Sequence, residues 1–184
     1  IREVQEKDIE GAEAIIDLAA LSNDPLGELR PGLTEAINLE ASVRLARLAK
    51  AVGVKRFIFS SSCSVYGIVA GGRMVSELDP VQPVTAYARS KVQTEEAVAA
   101  LADGNFHPIF LRNATAYGVS PSLRLDLVVN NLGGSAVATG RIDILSDGTP
   151  WRPLVHVRDL CRVIQLALKA PEKEIHCQTV NVGV

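Results

Sequence analysis

Two short, almost wholly apolar runs, AIIDLAA at 14–20 and RFIFSS at 56–61, flank one long amphipathic segment, and that order leaves few folds open. A run too short for a buried helix, and without polar alternation, fits a strand covered on both faces. Two such strands joined by a helix form the strand–helix–strand unit of a parallel sheet. Residues 2–12 are polar and read as helix or loop. The first run ends in LSNDP, where Asn23, Asp24, Pro25 and Gly27 read as a loop. The amphipathic segment then runs from Thr34 and Glu35 to Val52, with Leu39, Val43, Ala46, Leu48 and Ala49 on its apolar side, and Gly53 stops it.

The unit repeats downstream. From Gly67 to Gln82 the chain is rich in glycine and proline and reads as a surface loop over the sheet edge. A helix is predicted from Thr85 to Leu101, broken at Gly104-Asn105, and HPIFLRNAT is a further buried strand. Beyond Pro121 the pattern changes. LRLDLVVNNL is predicted helical and RIDIL a short strand; DGTPWRPLVHV is a loop running into a strand, VRDLCRVIQLALKA a helix and CQTVNVGV a closing strand. The expected class is α/β, a doubly wound parallel sheet.

The 184 residues are 47% hydrophobic, enough for one substantial core. The formal charge is −2 with acids and bases interspersed, which gives no footprint for nucleic acid or an anionic membrane. No apolar run approaches the roughly 18 residues of a membrane span. The charged start, IREVQEKDIE, does not read as a signal peptide. Cys63, Cys161 and Cys177 are few, odd in number and without C-x-x-C spacing, so neither a disulfide framework nor a zinc site is suggested, and His107, His156 and His176 are scattered. A reducing cytoplasm fits this usage.

The chemistry concentrates between Arg56 and Lys91. Tyr87 and Lys91 are four residues apart, so a helix places them on one face with Cβ atoms about 5–6 Å apart. An ammonium beside a phenol favours the phenolate, which brings a group of ordinary pKa about 10 closer to use as a base. Ser62 stands where the strand ends, at the carboxyl edge where open α/β sheets bind ligands. Cys63 beside it reads as a small buried residue in preference to a reactive thiol.

SSSCSVYG after an apolar strand, followed by YARSK, resembles the extended short-chain dehydrogenase/reductase superfamily, in particular its nucleotide-sugar epimerases and dehydratases. The resemblance implies a Rossmann-like sheet over residues 1–120 and part of a smaller substrate-binding lobe, with returning core elements, over 121–184. It implies that Tyr87 is the acid/base, that Lys91 lowers its pKa and holds the nicotinamide ribose, and that Ser62 supports the substrate oxygen. Cofactor contacts are implied for Ala19, Ala20, Leu21, Asn38, Ser60, Ser61, Tyr87, Lys91 and Ala114. Substrate contacts are implied for Ser62, Cys63, Asn113, Asn130, Asn131 and Arg152, the last at the family's phosphate-binding position. Thr115 stands where many relatives have asparagine. For Asn38 a mid-helix polar residue facing water is the alternative, and for His156 a structural role is preferred, with Asp159 capping the following helix.

The expected activity is hydride transfer on a nucleotide sugar, 4-epimerisation through a 4-keto intermediate, by a homodimer. Dehydratases of the family carry Asp-Glu after the serine position. Here Cys63 and Ser64 stand there and argue against dehydration. A sugar reductase or dehydratase of the same superfamily, or a cofactor-binding protein without turnover, is the alternative. The family's G-x-x-G-x-x-G turn is not in this sequence, and neither Gly71-Gly72 nor Gly133-Gly134 has its spacing. By resemblance the chain begins as though about sixty residues, the first two βα units of the fold, preceded it. NAD is the implied cofactor, with NADP left open because the ribose-discriminating residue falls in that part.

Overall fold

The computed structural model describes every residue except 23, 70–72, 145, 149–150 and 184, together with the side chains of 24–26. In chain order the elements are α1 (Glu6–Ile9), β1 (Ala14–Asp17), α2 (Asp24–Leu29), α3 (Pro31–Glu35), a π-helical turn (Ala36–Glu40), α4 (Ala41–Ala51), β2 (Arg56–Ser62) and a 3₁₀ turn (Cys63–Tyr66). There follow α5 (Ala86–Ala99), β3 (His107–Asn113), β4 (Thr115–Tyr117), α6 (Val128–Thr139), β5 (Leu154–His156), α7 (Val157–Lys169), α8 (Glu172–Ile175) and β6 (Gln178–Val182). Four strands form a parallel sheet in the order β1-β2-β3-β6, and β4 pairs with β5 in a separate two-stranded parallel sheet.

The central strands are apolar through Phe57–Phe59 and Ile109–Leu111 because both faces are covered there. Phe57, Phe59 and Phe110 point to one face and pack with Val43, Leu45, Ala46 and Ala49 of α4 and Val98 of α5. Ile58, Ile109 and Leu111 point to the other and pack with Ala167 of α7 and Ile175 of α8. The sheet is thus doubly wound, as the sequence predicts. Among the described residues no helix is long and apolar enough to cross a membrane.

Several boundaries differ from the sequence reading, each for a local reason. β1 stops at Asp17 rather than reaching Ala20, because the Asp17 carboxylate accepts the Ala19 N–H (3.1 Å) and turns the chain. Where a loop was expected up to Thr34, α2 and α3 form. Pro31 opens α3, and the buried Thr34 hydroxyl donates to the Gly27 carbonyl to close the corner between them. Asn23 of the expected loop lies outside the described residues. The predicted helix to Val52 is otherwise present, ending at Gly53 with φ +83°.

HPIFLRNAT is two strands. The chain leaves the main sheet at Ala114, whose N–H donates to the Val182 carbonyl, while the next N–H, of Thr115, donates to Pro153. In LRLDLVVNNL the helix begins only at Val128, then runs through Gly133-Gly134 to Gly140. RIDIL gives no strand over 141–144, and Leu145 lies outside the described residues, as do Gly71-Gly72 and the Thr149-Pro150 portion of the predicted loop.

Gly67 ends the 3₁₀ turn at φ 66°, ψ −141°, a region open essentially to glycine, and a β-carbon there would collide with the Gln82 carbonyl oxygen. Gly67→Ala is therefore expected to lower Tm by roughly 5–10 °C in a thermal scan, a cost of about 2 kcal/mol or more for a domain of this size.

Candidate active site

Helix α5 carries the central groups. Thr85 caps it, accepting the Ala88 N–H at 3.1 Å, and this sets Tyr87 in the first turn and Lys91 one turn on. Tyr87 is half-buried and Lys91 is only 2% exposed. The Lys91 ammonium donates to the Ser60 carbonyl at 2.6 Å and lies 4.5 Å from the Phe59 ring centroid and 5.7 Å from that of Tyr87. Burial pulls its pKa down to about 8, against the negative charges of Asp17 and Glu95, which hold it up.

Ser62 closes β2 at the carboxyl edge. Its hydroxyl accepts the Ser64 N–H (3.2 Å) and lies 3.1 Å from the Ser64 hydroxyl. Asn113 is its register partner on β3, and the Asn113 amide donates to the Ser60 hydroxyl at 2.9 Å and to the Ser61 carbonyl at 3.4 Å. The Asn113 Oδ1 atom is buried without a hydrogen-bond partner. Cys63 is half-buried, and burial pushes its thiol up while Arg152, an exposed residue, pulls the other way. A thiol pushed up by burial is less readily deprotonated, which favours a small-residue role for Cys63 over a nucleophile.

Asn38 does not face water. It is fully buried in the π-helical turn, where its amide accepts the Leu21 N–H (2.8 Å) and donates to the Leu21 carbonyl (3.1 Å) and to the Ser90 hydroxyl (3.3 Å). One side chain thus ties the loop of Ala19, Ala20 and Leu21 to α5, and the π turn is what aims it inward.

A second polar group lies beneath, and the sequence reading missed it. Glu95, one turn after Lys91, forms a fork with Arg112 of β3, with Nη2 to Oε2 at 2.7 Å and Nε to Oε1 at 3.1 Å. Both are buried, and Glu95 also accepts the Ser61 hydroxyl. Arg112 donates on to the Tyr66 hydroxyl (2.9 Å), which donates to Asn181 of β6 (2.7 Å). Burial disfavours the Arg112 charge, yet these bonds from Glu95 and Tyr66 hold its pKa above the ordinary value. The available signal was an arginine inside the apolar run HPIFLRN, which needs a buried partner.

Other sequence candidates fall on α6, on β5 and α7, and at the start of β3. Asn130 accepts the Gly118 N–H (3.3 Å) and donates to the Arg124 carbonyl (3.0 Å), and Asn131 donates to Leu125 (3.0 Å), so both brace the segment before α6. His156, not Asp159, caps α7 by accepting the Arg158 N–H at 3.2 Å; Asp159 lies inside the first turn, paired with Arg162. His107 and His176, far apart in sequence, meet with their Nδ1 atoms 3.0 Å apart, at the end of β3 opposite Asn113. Among the described residues no group of three or more His, Cys, Asp or Glu could hold a metal ion.

Residues 3–183 match the NAD dependent epimerase/dehydratase family. The UDP-glucose 4-epimerase of Mus musculus is 31% identical over 93% of this chain and 54% of its own length; that of Homo sapiens is 32% identical over 80% and 47%. Among solved structures, MoeE5 in complex with UDP-glucuronic acid and NAD superposes with a TM-score of 0.86 at 28% identity, covering 99% of this chain and 60% of that one. UDP-glucuronic acid 4-epimerase from Bacillus cereus, in complex with UDP-glucuronic acid and NAD, gives 0.83 at 25% identity, covering 97% and 56%. The chain spans about half the length of the curated relatives it matches.

The buried ammonium has a measurable signature. The unfolded chain keeps Lys91 protonated up to its ordinary value of 10.5, the folded one only to about 8. Between these values the unfolded state holds the extra proton, so the contribution of Lys91 to unfolding free energy rises with pH. In chemical denaturation, the stability of wild type minus that of Lys91→Met is expected to climb across this window, and a flat difference would show that burial does not disfavour the charge.

Proposed function

Because the chain belongs to the NAD dependent epimerase/dehydratase family, we propose that the whole protein is a nucleotide-sugar 4-epimerase that works through a 4-keto sugar. The observation that carries this reading is the Lys91 ammonium seated between the Tyr87 ring and the Ser60 carbonyl, at the sheet edge that ends in Ser62. The likeness to UDP-glucose 4-epimerases supports the substrate class. Cys63 and Ser64, which supply no carboxylate after Ser62, favour epimerisation over loss of water.

The nicotinamide half of NAD fits the residues present. The orphaned Asn113 Oδ1 is an acceptor suited to a carboxamide N–H, and in this reading Lys91 and Tyr87 hold the ribose, with Ala114 and the loop of Ala19 to Leu21 as further cofactor contacts. When bound, a nicotinamide supplies reversible hydride transfer. In this reading Tyr87 takes the proton of the sugar hydroxyl being oxidised and returns it on reduction. Lys91 stabilises the phenolate that exists before the proton is taken and after it is returned, and Ser62 hydrogen-bonds the same sugar oxygen. Turning the keto sugar over before reduction inverts the carbon. Asn130, Asn131 and the 121–184 lobe provide the substrate side, with Arg152 on the diphosphate. The protein works as a homodimer in the cytoplasm.

Tyr87→Phe in the full-length enzyme is expected to lower kcat by about 10²–10⁴-fold with Tm retained, assayed by conversion of UDP-glucose to its 4-epimer without net consumption of NADH. Near-normal turnover would remove Tyr87 from the mechanism, and net NADH consumption would make the protein a reductase.

Arg152 is exposed beside Trp151 and Pro153, free to offer its planar fork to phosphate oxygens. Arg152→Ala is expected to cost roughly 10–150-fold in kcat/KM for the nucleotide sugar and to leave NAD affinity unchanged. An unchanged KM with a lowered Tm would instead assign the side chain to packing.

A further inference from the structure

A buried lysine needs a source of negative charge to remain an ammonium, and two carboxylates stand near enough to Lys91 to supply it, Asp17 on β1 and Glu95 on its own helix. The two are not equivalent. Glu95 is already matched, since both its oxygens are forked by Arg112 and one also accepts the Ser61 hydroxyl. Asp17 is 2% exposed, uses Oδ1 on the Ala19 N–H, and has an Oδ2 that is buried without a hydrogen-bond partner.

Register brings Asp17 to the right side of the sheet. It pairs with Phe59 of β2, and partners on parallel strands point to the same face. Phe59 faces α4 and α5, and the Lys91 ammonium lies over its ring. The ammonium has three donors, of which the Ser60 carbonyl takes one. The groups facing it are therefore Asp17 from β1, Tyr87 and Glu95 from α5, and, behind Glu95, Arg112 from β3.

We propose that Asp17 is a positioning residue acting through Lys91, the unmatched buried carboxylate that keeps the ammonium charged beneath Tyr87. In this proposal Asp17 acts on Tyr87 only through Lys91. Its effect on catalysis rests on the reading of Tyr87 and Lys91 given above, but its effect on Lys91 can be read without turnover.

The test is the ε-carbon NMR titration of Lys91 in the intact protein labelled with ¹³C-lysine, the resonance being assigned with Lys91→Met. Asp17→Asn keeps the shape and the acceptor for Ala19 while removing the charge. It is expected to lower the Lys91 midpoint by about one pH unit or more. The alkaline limb of the kcat profile should move down in pH with it. Asp17→Ser, which also retains an acceptor for the turn, gives the same reading should the asparagine variant fold poorly. An unmoved midpoint in a folded variant, with only Tm lowered, would overturn the proposal and leave Asp17 as a turn residue. A lowered midpoint in a protein without epimerase activity would uphold it while removing the proposed function.

Discussion

Helix α5 is fastened to the sheet by charge more than by apolar contact. Of its buried positions, Ser90, Lys91, Thr94 and Glu95 are polar, against Ala88 and Val98. Lys91 reaches the Ser60 carbonyl of β2 and Glu95 reaches Arg112 of β3, while Ser90 and Thr94 bond to Asn38 of the π turn. An apolar interface tolerates sliding, whereas a row of directional bonds fixes one register between helix and strand. That register sets the height of Tyr87 above the end of β2, and everything chemical in this chain depends on it.

Such an arrangement brings little net stability. Desolvating Glu95 and Arg112 consumes most of what their attraction returns, and a well-packed apolar pair would hold the helix as firmly. Its value is in the penalty for partial loss: removing one member leaves the other charged and buried, at a cost of about 3–5 kcal/mol. The network also spans β2, β3, β6 and the 3₁₀ turn through Ser61, Arg112, Asn181 and Tyr66, so the carboxyl edge is braced across three adjacent strands.

The same chemistry decided what could be read from the sequence. The central strands were legible because FIF and IFL are buried on both faces and leave no polar alternation, and α4 because its inner face is apolar. The spacing of Tyr87 and Lys91 put them on one helix face, but as a pair they stood out only through their context, the strand ending in SSSCSVYG ahead of them. Helix α5 was found from its breakers and its motif, since its inner face carries no apolar period. Asp17 was hidden inside a run that reads as strand, where a side chain that ends β1 by bonding two residues ahead looks like one more strand residue. For Asn38 a solvated helix position stayed open as the alternative in the sequence; the π turn rotates it inward, and no periodicity rule anticipates that extra residue. RIDIL reads as a strand by composition, yet among the described residues no strand pairs with 141–144, and isolated alternation of this kind is not stable on its own.

The departure of the chain at Ala114 has a mechanical side. A single residue separates Asn113, the last position of β3, from Thr115, the first of the small sheet, and that residue is wedged where a β-carbon on Gly183 would collide with it. The joint is stiff and short. Strand β5 follows Arg152 and Pro153 directly and is paired with Thr115–Tyr117, so the strand pair and the amide of Asn113 form one lever with its fulcrum at Ala114. From Arg152 through β5 and β4 to Asn113, and on to the Ser60 hydroxyl and the Ser61 carbonyl, the path is strand throughout apart from Pro153 and Ala114.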